Sequence, residues 1–351
     1  MTQNRDKINR TRIAKYSPHQ NDLYRYFRHV FQPMLSAENP ASSAIYAEDW
    51  YIENQKLHKD MDAIIETRLN HRVMIVGHTG IGKSSFIRNY FGHTSNPHVQ
   101  NDILFIPFYF DPISLNGSSP SFSLIQPKIE AACRLVMNKY VVDYNDELLH
   151  NFINGHRADL LHPSGLRFDA TIEEKITYLR MNSPFEYASE LLKYFCASSP
   201  VKKIVLIIDD IDTVEPLYAQ GTITADAARF TYRLQEIYQD KESNFQLDSE
   251  KSFQTVLVVS CRPNTYSSFS RSEVLRGMPF EKPIVIDEPV ELPELFKRRF
   301  EAALRDPQIS KQIHERETFE ECRDILLDTV TAIAEIGNTF SKETYLSLNL
   351  F

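Results

Sequence analysis

Cysteine is scarce in this sequence and follows no metal-binding pattern. The 351 residues include four cysteines, none of them in a Cys-x-x-Cys pair or in a Cys/His set with ligand spacing. Disulfide frameworks and structural zinc sites both depend on paired or closely spaced cysteines. The scarcity of cysteine therefore predicts a reduced, intracellular chain without a structural zinc site.

Long apolar runs and an excess of positive charge are also missing. No run reaches the length of a membrane span, and the N-terminus lacks the apolar core of a signal peptide. The formal net charge of -8 argues against a surface built throughout for nucleic acid. We therefore expect a cytoplasmic protein without a membrane partner.

The first thirty residues differ in charge from the rest of the chain, with seven basic against two acidic residues. This excess of positive charge predicts a solvated arm or a local contact with nucleic acid or a partner protein.

One segment carries the most specific functional signal, a glycine-rich turn between an apolar strand and a helix. Residues 73–76 are apolar and predict a buried strand, and a helical segment follows Lys83. The turn matches the phosphate-binding pattern of glycine, four residues, glycine, lysine and serine or threonine. Glycines let successive backbone N–H groups point at an anion, and the helix N-terminus adds partial positive charge.

This loop predicts a site for the phosphates of ATP. Lys83 would neutralise the β- and γ-phosphates, Ser84 would bind Mg²⁺, and Ser85 would contact the α-phosphate. The predicted nucleotide-binding residues are Gly77, His78, Thr79, Gly80, Ile81, Gly82, Lys83, Ser84 and Ser85.

A second signal is a continuously apolar strand that runs into two carboxylates. Residues 204–208 are all aliphatic, and Asp209 and Asp210 follow at once. A carboxylate at the end of a buried parallel strand can hold the Mg²⁺ shell, and its neighbour can deprotonate an attacking water. We predict Asp209 as the metal residue, together with Ser84, and Asp210 as the general base.

Polar residues after a later strand predict how the terminal phosphate is sensed. Residues 255–259 are apolar or β-branched, and Ser260 and Arg262 come at the end of that strand. Either side chain could contact the γ-phosphate. Arg271 and Arg276 follow, and an arginine there could reach the γ-phosphate of a neighbouring subunit and stabilise charge in the transition state.

Strands that alternate with helices predict an α/β fold, a three-layer sandwich with a five-stranded parallel sheet. The aromatic strand at 103–110 contains Pro107, which predicts a place near the sheet edge. Helices are expected at about 123–142 and 173–197, within an insertion spanning about 118–200. The intervening histidines, His150, His156 and His162, lack ligand spacing and are predicted to lie at the surface. Domain bounds are expected at 1–45 (basic arm), 46–290 (P-loop domain) and 291–351 (short C-terminal helical region).

The ordered motifs at 77–84, 204–210 and 256–262 resemble those of P-loop NTPases with an additional strand between the two nucleotide motifs. That group includes the AAA+ and STAND ATPases, with KAP-type ATPases nearby. The Asp-Asp pair and the Ser-Cys-Arg strand end are more similar to STAND and KAP-type proteins, whereas residues 296–300 are more like the initiator-loader branch of AAA+. The resemblance covers about residues 46–304 and implies Mg²⁺-dependent ATP hydrolysis by an oligomerising switch, in a setting such as signalling or anti-phage defence.

The C-terminal region departs from the AAA+ pattern. Those proteins carry a sensor arginine in a helical lid, in a Gly-Asn/Asp-x-Arg context, whereas residues 337–340 read Gly-Asn-Thr-Phe. The alternatives are a reduced lid, a lid completed by another subunit, or a truncated chain.

Three functions compete at this point: an oligomerising ATPase switch, a DNA-associated loader that uses the basic arm, and a scaffold that binds ATP without cutting it. A GTPase is disfavoured, because the guanine-reading Asn-Lys-x-Asp segment is missing from the sequence. A metabolite kinase is a poorer fit to the paired aspartates, which water activation explains better.

Overall fold

The computed structural model describes most of the chain between residues 55 and 337. The predicted basic arm, Thr79, Gly80 and Arg276 lie outside the described residues. The described residues are 55–78, 81–92, 96–108, 122–167, 169–213, 221–235, 238–239, 250–251, 253–273, 275, 280–286, 292–305 and 316–337.

The main element is a mixed six-stranded sheet with the strand order β2-β3-β4-β7-β1-β8. Five of its strands are parallel, and β2 pairs antiparallel with β3. A separate two-stranded sheet joins β5 and β6. The strands are β1 (His71–Gly77), β2 (His98–Gln100), β3 (Ile103–Phe108), β4 (Lys203–Ile208), β5 (Tyr238–Gln239), β6 (Glu250–Lys251), β7 (Gln254–Cys261) and β8 (Ile284–Ile286).

The sheet has one strand more than the five that the sequence predicts. The additional strand β2 has three residues, of which only Val99 is apolar, so no apolar run predicts it. β3 is the second strand from one edge of the sheet, near the edge as Pro107 predicts, and β2 pairs only with Ile103, Leu104 and Phe105. Pro107 is tolerated there because it lies beyond the end of β2 and its missing N–H interrupts no β2–β3 bond.

The described residues form ten α-helices. Four of them, α3 to α6, occupy the chain between β3 and β4, where the sequence predicts two. The helices are α1 (Gln55–Glu66), α2 (Lys83–Phe91), α3 (Phe122–Tyr140), α4 (Asp146–Arg157), α5 (Ile172–Asn182), α6 (Pro184–Ala197), α7 (Thr222–Gln235), α8 (Pro263–Phe269), α9 (Leu292–Arg305) and α10 (Arg316–Gly337).

Local capping explains why the inserted segment divides in this way. Asn145 caps α4 by accepting a 2.7 Å hydrogen bond from the N–H of Leu148. Thr171 and Glu174 form a reciprocal capping box at the start of α5. The single helix predicted at 173–197 is two helices, because Pro184 cannot continue α5 but starts α6 at its first position.

Helices cover both faces of the sheet. On one face α3 packs against β3, α7 packs against β7, and α6 packs against both helices around a shared apolar core. On the other face the ring of Phe91 in α2 lies 6.0 Å from the ring of Phe105 in β3. The central strands are therefore buried on both sides, which is why β4 and β7 read as continuous apolar runs.

The chain divides into two compact units. The larger consists of residues 54–79 and 86–287 and contains both sheets. The described residues of the smaller unit are 81–85, 292–305 and 316–337, and within it α9 packs against α10, with Phe300 buried. Among the described residues no helix is both long enough and apolar enough to cross a membrane.

Candidate active site

Three neighbouring strands end at the same edge of the larger unit. β7 lies between β4 and β1 and is parallel to both, with Ile208 opposite Val259 and Val76 opposite Cys261. Since the carboxyl ends of parallel strands share one edge, the residues that follow these three strands meet there. These residues are His78, the Asp209–Asp210 pair and Arg262.

Gly82 is the described glycine of the segment between β1 and α2. β1 ends at Gly77, and α2 begins at Lys83. Gly82 has a φ of +104°, a conformation that residues with a side chain rarely adopt, and a Cβ there would meet no atom within 4 Å. The glycine is therefore required by the backbone and not by crowding.

The other predicted phosphate-loop residues differ in exposure. Lys83 is 7% exposed, although it is the first residue of a helix. His78 is exposed, and Ile81, Ser84 and Ser85 are half-buried. Thr79 and Gly80, which the sequence also predicts to bind phosphate, lie outside the described residues.

Ser260 joins the two predicted acidic residues. Its hydroxyl donates a 2.6 Å hydrogen bond to Oδ1 of Asp209 and accepts a 2.8 Å hydrogen bond from the backbone N–H of Asp210. Ser260 is completely buried, and Asp209 is 3% exposed. A side chain at the end of β7 therefore orients both residues at the end of β4.

Asp210 has an unusual backbone conformation. Its φ is +51°, in the left-handed region that aspartate enters more readily than most residues but still at a cost. The hydrogen bond from its N–H to Ser260 stabilises this turn. The turn separates the two neighbouring aspartates in environment, because Asp209 is buried and Asp210 is half-buried.

Asp212 forms a second link at the same edge, and the sequence assigns it no role. It lies in the 3₁₀ turn Ile211–Thr213 that follows the acidic pair. Its Oδ1 accepts a 3.1 Å hydrogen bond from the N–H of Arg262 and another from the hydroxyl of Thr265. In the sequence, the position of Asp212 shortly after Asp209 and Asp210 is the one feature that could have pointed to a role for it. No sequence feature predicts the contact with Thr265.

The arginines that the sequence predicts near the γ-phosphate differ in their contacts and exposure. The Nε of Arg262 lies 3.7 Å from Oδ2 of Asp212, and half of its side chain is exposed. Arg271 is exposed just after α8. Arg276 lies outside the described residues, so the two candidates for a contact with another subunit stay predictions.

The inserted helices contain a buried charged cluster, and the surface position predicted for His156 is wrong. The side chain of His156 is 6% exposed, and its Nε2 lies 2.5 Å from a carboxylate oxygen of Glu190. Glu190 also pairs with Lys193, which is equally buried. Burial acts to raise the pKa of Glu190, but the His156 hydrogen bond and the Lys193 charge outweigh it and hold the pKa below its usual value.

His162 is exposed, as the sequence predicts, and His150 is half-buried. Within the described ranges, no three His, Cys, Asp or Glu residues are grouped so that they could hold a metal ion by themselves. A metal at the sheet edge would therefore need ligands from elsewhere, such as phosphate oxygens and water, which is the usual arrangement for Mg²⁺.

No family model matches the chain, and no curated protein matches it at a significant level.

Proposed function

We propose that this chain is a Mg²⁺-dependent P-loop ATPase that acts as an oligomerising switch. The observation that carries the proposal is the strand order β4-β7-β1. It brings the acidic pair after β4 to the same sheet edge as the start of the glycine-rich loop after β1, with one strand between them. An additional strand between the two motifs is the arrangement that the sequence resemblance implies.

The residues of the glycine-rich loop after β1 support binding of a nucleoside triphosphate. Lys83 supplies a cation at the start of α2, and the positive φ of Gly82 is consistent with a backbone that turns its N–H groups toward an anion. The donor set also fits Mg²⁺, because the hydroxyl of Ser84 and the carboxylate of Asp209 are hard oxygen ligands. Mg²⁺, when bound, would neutralise part of the phosphate charge.

The acidic turn supports hydrolysis. Asp210 is half-buried, held by its backbone to Ser260, and is the group proposed to take the proton from the attacking water. Ser260 and Arg262 are proposed to respond to the γ-phosphate. Arg271 and Arg276 remain the candidates for a contact in trans.

ATP turnover per subunit, measured over a wide range of protein concentration, tests this proposal. Lys83→Ala is the blank, and Lys59→Ala, which changes an exposed lysine of α1, is the matched control. We expect turnover in the wild type and in Lys59→Ala, and background turnover in Lys83→Ala. A rise with concentration would support a site completed between subunits, whereas constant turnover would favour Arg262 as the arginine in cis.

Binding of a fluorescent ATP analogue separates the remaining outcomes. Binding that depends on Lys83 without turnover would indicate a scaffold that holds ATP, and turnover that appears only with DNA at low salt would indicate the loader. If wild type and Lys83→Ala bind the analogue equally, the proposed phosphate site is wrong.

A further inference from the structure

Asp212 is a buried acid that the proposed hydrolysis does not use. The residue is 6% exposed and follows Asp209 and Asp210 in the turn after β4. Isolated buried carboxylates are costly, so a protein that keeps one normally gives it partners. The partners of Asp212 show what it holds in position.

Oδ1 of Asp212 fixes the start of α8. Its two donors are the N–H of Arg262, the N-cap residue of that helix, and the hydroxyl of Thr265 in the first turn. The side chain of Arg262 makes no capping bond. A carboxylate 50 positions earlier in the chain therefore takes over the capping, and it ties the backbone of Arg262 to the acidic turn.

Oδ2 of Asp212 is the less satisfied oxygen. It is buried, and no described residue donates a hydrogen bond to it. The guanidinium of Arg262 lies nearby, with its Nε at 3.7 Å, just beyond hydrogen-bond distance. The guanidinium is close enough to be attracted to the Asp212 carboxylate, and half of the Arg262 side chain faces solvent.

We propose that Asp212 is the positioning residue for Arg262. Through Oδ1 it sets the backbone from which the arginine projects, and through Oδ2 it holds the guanidinium at the sheet edge until a phosphate competes for it. This inference rests on the proposed ATPase function and adds one point to it: the response of Arg262 to the γ-phosphate is set by its exchange with Asp212.

A double-mutant cycle tests whether Asp212 acts through Arg262. Asp212→Asn keeps the shape and the Oδ1 acceptor but removes the charge, and Arg262→Gln removes the guanidinium. We expect each single variant to lower kcat roughly tenfold and to change the KM for ATP less than about threefold, within the usual range of coupled polar pairs. The double variant is expected to be no slower than Arg262→Gln.

A second measurement compares affinities for ATP and ADP. If Arg262 leaves Asp212 only for a γ-phosphate, Arg262→Gln should lower the preference for ATP over ADP, whereas Asp212→Asn, which removes the competing charge, should raise it. Asp226→Asn is the matched control, because it removes the acid of an Asp–Arg pair on α7, where Asp226 and Arg229 lie 2.9 Å apart. It should leave kcat and the affinity ratio as in the wild type.

A merely structural role for Asp212 gives a different result. Asp212→Asn would then lower the fraction of folded protein, and its effect on turnover would multiply with that of Arg262→Gln in the double variant. Multiplicative effects, or wild-type turnover and affinity ratio in Asp212→Asn, would overturn the inference while the ATPase proposal stands. If the wild type shows no nucleotide binding that depends on Lys83, the proposed function fails and the inference fails with it.

Discussion

The hydroxyl of Ser260 donates a 2.6 Å hydrogen bond to the carboxylate of Asp209, although the two residues are 51 positions apart in the chain. They meet because β4 and β7 are parallel neighbours that end at the same edge. Together with the hydrogen bond from the N–H of Asp210, this contact fixes the orientation of the acidic turn. Such preorganisation is what a site for charge stabilisation requires.

Ser260→Ala should destabilise the fold as well as the site. The substitution leaves a buried carboxylate oxygen of Asp209 and the N–H of Asp210 without this partner, which should cost about 1–3 kcal/mol. The free energy of unfolding from urea titration measures this cost. Ser267→Ala is the control, because Ser267 is exposed on α8, and it should lie within about 0.5 kcal/mol of the wild type. Equal stability of the two variants would contradict the importance of this contact.

Asp210→Asn should separate binding from hydrolysis. The amide keeps the size of the carboxylate but cannot accept the proton of the attacking water, so kcat should fall by about 10²–10⁴ while ATP still binds. Single-turnover assays with radiolabelled ATP would show uncleaved nucleotide retained on the protein. Hydrolysis at the wild-type rate would show that Asp210 is not the base.

Ser84→Ala and Ser85→Ala form a matched pair for the metal. Ser84 is the proposed hydroxyl ligand of Mg²⁺, so its loss should raise the Mg²⁺ concentration for half-maximal turnover by roughly tenfold. Ser85 is proposed to contact the α-phosphate, so Ser85→Ala should raise the KM for ATP and leave the Mg²⁺ requirement near that of the wild type. Removal of Mg²⁺ with EDTA should stop turnover in every active variant. The assignment is reversed if Ser85→Ala is the variant that needs more Mg²⁺.

Glu190 should make stability depend on pH on the acid side. Its pKa in the folded protein lies below the ordinary value of 4.5, so the folded state favours the ionised form. The stabilisation is complete above the pKa of the unfolded chain and is lost as pH falls from there through the lower pKa of the folded protein. Urea titrations at a series of pH values below about 5 would measure this loss.

Glu190→Gln should remove this part of the pH dependence and lower stability at neutral pH by about 3–5 kcal/mol, because buried Lys193 loses its counter-charge and His156 loses the carboxylate that it contacts. Glu147→Gln, at an exposed position of α4, is the control and should change stability by a few tenths of a kcal/mol. If the free energy of unfolding of Glu190→Gln still falls below about pH 5 as it does in the wild type, other carboxylates cause the pH dependence.

Several elements could be predicted from the sequence, because their signals are local. The apolar runs in β1, β4 and β7 are predicted at nearly the observed bounds. The strand β2 could not be predicted, because it has only three residues, with a single apolar one, and they form a strand through pairing with β3. Helix α4 is not predicted from the sequence either, because most of its residues are polar. Only in the structure is it seen that Leu149 and Ile153 are buried.

The sequence by itself determined the apolar strands of the parallel part of the sheet, the glycine-rich turn that leads into Lys83, and the carboxylates that follow a buried strand. Each of these features is written in a few consecutive residues. Only the tertiary structure decided that β7 lies between β1 and β4, and hence that Ser260 contacts Asp209 and that Asp212 holds Arg262. The physical reason is that hydrophobic periodicity records which residues are buried but not which strands become neighbours. Contacts between residues about 50 positions apart appear only once the sheet has formed.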